Sequence, residues 1–69
     1  MLPTNENPFG WTNLSAGVFT SFDRRTIFEQ TTTGVRMKIV VDGGESITDL
    51  AGETIEAVRT RVGCPQWSA

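Results

Sequence analysis

The chain has 69 residues and a formal net charge of −2, with six basic against eight acidic side chains, no histidine and a single cysteine, Cys64. That balance excludes the clustered Lys and Arg that nucleic-acid backbones require, and one thiol without histidine excludes an internal disulfide or a zinc-type ligand set. No apolar run approaches the roughly 20 residues that cross a bilayer, so neither nucleic acid nor a membrane is an expected partner.

A chain of this length forms one domain at most and buries only about 60% of its unfolded surface. Small folds are commonly braced by a disulfide, a metal or a partner. With the first two missing from the composition, a protein partner becomes the expectation. The N-terminus MLPTNENPFG has no positive charge and no apolar centre, unlike a secretory signal. The expected location is therefore the cytoplasm, or a particle assembled there; a lone cysteine fits such a reducing compartment.

Residues 1–17 have neither the period of a strand nor that of a helix, and they hold Pro3, Pro8, Gly10 and Gly17. Each proline biases the residue before it toward extended backbone. This stretch reads as an irregular arm preceding a single small domain over 18–69. Leu2, Phe9, Trp11 and Leu14 give it anchors that a flexible tail rarely carries. These side chains either fold back over the domain's own core or dock into a neighbouring subunit.

Residues 18–22, VFTSF, read as a short strand, and Asp23-Arg24-Arg25 as the turn after it. Residues 26–32, TIFEQTT, are β-branched and aromatic and read as a second strand. Thr33-Gly34 supplies a turn. Residues 35–41 alternate, with Val35, Met37, Ile39 and Val41 on one face and Arg36 and Lys38 on the other, Val40 being the exception, as in a half-buried antiparallel strand. Asp42-Gly43-Gly44 ends it.

Two readings compete beyond that turn. In the first, Ser46 caps a helix over about 47–62. Ile47, Ala51, Ile55, Val58 and Val62 then fall in a stripe about 80° wide, and the early acids and late Arg59 and Arg61 complement the helix dipole. Gly52 inside such a helix costs about 1 kcal/mol relative to Ala. In the second, Ser46–Ala51 is a strand, Gly52 a junction, and the helix starts near Glu53. The dipole order and the stripe favour the first. Gly63 and Pro65 stop the helix in either case. Trp67 in the tail CPQWSA needs an apolar neighbour, from its own sheet or from a partner.

On the second reading MKIVVDGGESITDL and ETIEAVRTRVG resemble the first hairpin and the helix of a β-grasp domain of the ubiquitin superfamily. The resemblance covers under half of the chain. It implies a free-standing adaptor or regulatory domain. The chain departs from that pattern in having only six residues after the helix, where further strands belong, and in lacking a terminal Gly-Gly.

The residues offer little catalytic chemistry. Cys64 follows a helix C-terminus, which disfavours a thiolate, and has no histidine to activate it, so a packed thiol is the plainer reading. Cys64-Pro65 also occurs in haem-contacting dipeptides, with almost no specificity. Asp42, Glu45, Asp49, Glu53 and Glu56 lack calcium-loop spacing and read as a solvated face. Asp42-Gly43-Gly44 lacks the lysine and glycine spacing of a phosphate loop. Asn7-Pro8-Phe9 matches a short trafficking signal, and Asn13-Leu14-Ser15 a glycosylation acceptor that has meaning only in a secreted chain.

The expectation is an α+β fold: about three antiparallel strands within 18–41, packed against one C-terminal amphipathic helix. The expected function is that of a non-enzymatic structural or interaction subunit of a larger assembly, such as a virion capsid or connector piece or an accessory subunit, with no cofactor and no metal. Its expected contact residues are Phe9, Trp11, Leu14 and Trp67. The alternative is a free-standing β-grasp-like adaptor or an inhibitor domain.

Overall fold

The computed structural model describes residues 10–68; Phe9 and the Asn7-Pro8-Phe9 tripeptide lie outside them. The fold is α+β. Strands β1 (Thr12–Ser15), β2 (Val18–Thr20), β3 (Thr26–Gln30), β4 (Gly34–Val41) and β5 (Gly44–Ala51) precede one helix, α1 (Ile55–Val62). The strands form one antiparallel meander in the order β1-β2-β3-β4-β5. Sequential antiparallel neighbours need only short turns, and the sequence supplies one at every junction.

Five strands replace the expected three. One addition lies in the stretch read as an irregular arm: residues 12–15 pair with β2, Thr12 opposite Thr20 and Asn13 opposite Phe19, with a register shift before Ser15. A four-residue strand with a bulge has too short a period to stand out in sequence. The other addition is β5, which occupies residues expected as the first turns of the helix. Gly43, at φ 86°, turns the chain. Pairing then runs without interruption from Val41 opposite Gly44 to Gly34 opposite Ala51.

Gly52, at φ 79°, breaks the chain out of the sheet. Its N–H donates to the Thr33 carbonyl at 2.8 Å. Thr54 then caps α1 from an extended backbone, its hydroxyl accepting from the Ala57 N–H at 3.2 Å, as N-cap threonines do. Gly63, at φ 88°, closes the helix with its N–H donating to the Arg59 carbonyl at 3.0 Å. The hairpin and helix of the β-grasp resemblance are therefore both present. Three strands precede them, and through Ser68 none follows the helix.

Strand alternation sorts the side chains. Phe19, Phe28, Met37 and Thr48 form one cross-sheet row, and Gln30, Val35 and Leu50 another on the same face. The helix covers that face with Ile55 and Val58, and Cys64 closes the cluster. Phe19 and Phe28 stack with ring centroids 4.9 Å apart. Trp11 meets the Phe19 ring edge-on at 5.4 Å. Both phenylalanines thus belong to one interior.

The cover is incomplete for a geometric reason. Eight helical residues reach ~12 Å, whereas eight strand residues reach ~27 Å. The far half of the β4–β5 hairpin therefore extends beyond α1, leaving Val41 exposed on the helix side, whereas Val40 and Ile47 are exposed on the opposite face.

Candidate functional site

The expected contact residues have different fates. Trp11 is half-buried and packs on the core through Phe19 and Phe28, so most of its ring already has an intramolecular neighbour. Leu14 and Trp67 stay outside, 48% and 41% exposed. They share a border of the molecule. The Asn13 side-chain amide donates to the Pro65 carbonyl at 2.8 Å, which ties the C-terminal tail that carries Trp67 to the strand that carries Leu14.

That border is held by a residue whose role is not evident from sequence. Arg59 is fully buried. Its Nε donates to Asn13 Oδ1 at 2.8 Å and its Nη2 to the Ser15 carbonyl at 2.9 Å, while its guanidinium lies 5.4 Å from the centre of the Phe19 ring. Arginine keeps its charge when buried and needs its donors filled; here neutral oxygens of β1 fill two of them. The signal was present: four residues after Ile55, Arg59 falls on the stripe that packs inward.

The most exposed large apolar side chain among the described residues is Phe22, at 81%. It was expected at the end of a strand, but β2 stops at Thr20. The Ser21 hydroxyl donates to Asp23 Oδ1 at 2.6 Å, and the Arg25 N–H donates to the same oxygen at 3.0 Å. The Arg24 N–H reaches the Ser21 carbonyl at 3.0 Å, and Arg24 sits at φ 63°. Ser and Asp two residues apart commonly form such turns, which is the signal that could have placed it. The Ser21 hydrogen bond, followed by that of the Arg25 N–H, holds the Asp23 carboxyl below its ordinary value of 3.8.

The sheet face away from the helix is open. Ile27, Glu29, Arg36, Lys38, Glu45 and Ile47 line a cleft of ≈ 170 Å³ there. Arg36 pairs with Asp49 at 3.5 Å and Lys38 with Glu45 at 3.8 Å.

Little of the remaining chemistry converges. Cys64 is buried, and burial pushes its thiol upward while the nearby Arg59 guanidinium partly opposes that shift. A raised thiol is a poor nucleophile at neutral pH. Glu53 pairs with Arg61 at 2.5 Å, and Asp42-Gly43 links β4 to β5 as a plain turn. Among the described residues no three His, Cys, Asp or Glu side chains gather to hold a metal ion, and no helix is long and apolar enough to cross a membrane.

No family model, curated protein or solved structure matches the chain.

Proposed function

We propose that this chain is a non-enzymatic structural or interaction subunit of a larger protein assembly. The observation that carries this reading is the set of large apolar side chains left outside a closed core: Phe22, and Leu14 with Trp67 on the border pinned by Arg59. Exposed aromatics on a braced surface are the residue types that anchor protein contacts. Virion components and accessory subunits of enzyme complexes are the classes of assembly proposed. Phe9, which lies outside the described residues, is proposed as a further contact residue.

Tagged full-length chain expressed in its native host tests the proposal. The Leu14→Ser/Trp67→Ser variant is expected to keep its circular dichroism and thermal transition while losing co-purifying proteins that the wild type retains. An identical bound set from folded wild type and folded variant overturns the border as a contact surface. A second reading, a free-standing adaptor or inhibitor domain, draws on the interior closed by Phe19, Phe28, Val35, Ile55 and Val58. It requires a chain that is monomeric at every concentration and melts sharply alone.

A further inference from the structure

We propose that the Phe22 turn of one copy docks into the Ile27–Ile47 cleft on the open sheet face of a second copy. The inference names one partner within the assembly reading and rests on it.

The turn is built as a rigid knob. Besides the Asp23 hydrogen bonds, the Thr26 N–H donates to the Ser21 hydroxyl at 3.2 Å, and the Ser21 N–H donates to the Thr26 carbonyl at 2.9 Å. Gly10 lies directly behind it: a Cβ there would come within 2.7 Å of Phe22 Cβ. The backbone that carries the exposed ring is thus fixed and loses little freedom on binding, which favours association.

Charge selects the cleft as its receptor. Asp23 is turned back into its own loop, and neither Arg24 nor Arg25 has an ion-pair partner among the described residues. The knob therefore carries an exposed apolar ring and, next in the chain, two arginines outside any close ion pair, of which Arg25 also acts on Asp23 and Arg24 is the freer charge. On the cleft, Lys38 and Glu45 satisfy one another and Arg36 is engaged by Asp49, which leaves Glu29 as the carboxylate without an ion pair. Ile27 and Ile47 provide the apolar floor. A cleft of ≈ 170 Å³ is of the size that admits one aromatic ring. Knob and cleft are different surfaces of the same chain, so the contact is heterologous and propagates head to tail until a ring closes.

Sedimentation velocity of the full chain over a wide concentration range is the test. The weight-average mass is expected to rise with concentration and to fall with added salt, which screens rim charges. Phe22→Ala should weaken self-association roughly tenfold or more, as removal of a buried aromatic anchor does. Arg24→Glu and Glu29→Arg should each weaken it by a few-fold when alone. Mixing these two variants should restore association, because the altered knob then meets the altered cleft. Thermal melts of each variant establish that it is folded. A wild type that is monomeric throughout, a folded Phe22→Ala chain that associates as wild type does, or a mixture no stronger than its components each overturns the docking. None of those results bears on co-purification through Leu14 and Trp67, so the two readings fail separately.

Discussion

Arg59 joins the last turns of α1 to β1, a strand in which only Asn13 is not exposed. Its partners are Asn13 and Ser15, and Asn13 in turn holds the tail at Pro65. Truncation to alanine would leave a cavity and two part-buried acceptors short of a donor. Arg59→Ala is expected to lower stability by about 3 kcal/mol, and Arg59→Met, which refills the volume without the donors, by about half as much. Urea unfolding at constant slope measures both; equal losses would mean that hydrogen bonding, not volume, is what Arg59 supplies. Asp23 makes a pH prediction at the same scale. Its carboxyl titrates below 3.8 in the folded chain, so its contribution is present above that value and is lost as pH falls through the folded pKa. The Arg25 amide resonance should report this step, and Asp23→Asn should abolish it.

At the scale of elements, the junctions decide the fold. Thr54→Ala removes the cap of α1 and is expected to cost about 1 kcal/mol. The Gln30 side chain meets the same helix end, its Oε1 accepting from the Ile55 N–H at 2.8 Å and its Nε2 donating to the Gly34 carbonyl at 2.6 Å. Gly34 is the tightest position: a Cβ there would run into the Leu50 carbonyl and come within 2.9 Å of the Gly52 nitrogen. Gly34→Ala should therefore cost about 3 kcal/mol, at the upper end for overpacking, and a melt unchanged from wild type would show that β4 and β5 can part locally. These junctions also explain what was legible in sequence. The β3–β4 pair, Asp42-Gly43-Gly44 and the Gly63 stop could be read because turn chemistry and alternation agree there. Residues 47–51 could not, because Ile47, Ala51 and Ile55 fall by coincidence on a helical stripe. The pairing of Arg36 with Asp49 across β4–β5 belongs to register, which no local period encodes. Of the expected contact residues, Leu14 and Trp67 are exposed, whereas Trp11 packs against Phe19 and Phe28, a meeting set by the meander.

For the whole molecule, the outstanding feature is the asymmetry between its two sheet edges. β1 is short, bulged and bordered by the tail, whereas β5 is eight residues long, exposed except at Leu50, and paired on one side only. A long, flat edge is a template for another strand. What opposes that here is charge: Glu45 and Asp49 flank Ile47 on one face, so the self-pairing that sets Ile47 against Ile47 brings Glu45 against Asp49. Replacing both acids by threonine removes two exposed ion pairs worth about 0.2–1 kcal/mol each, too little to unfold the chain, and leaves a β-prone, uncharged edge. Glu45→Thr/Asp49→Thr is therefore expected to melt close to wild type yet scatter light and bind thioflavin T on standing. Adding Ile47→Lys should restore solubility. Phe22→Ala should not, because edge pairing proceeds through backbone groups that the knob never touches. If Phe22→Ala did restore it, growth would be running through the knob and cleft, and the acids of β5 would be acting as rim charges of that contact, with no separate part in guarding the edge.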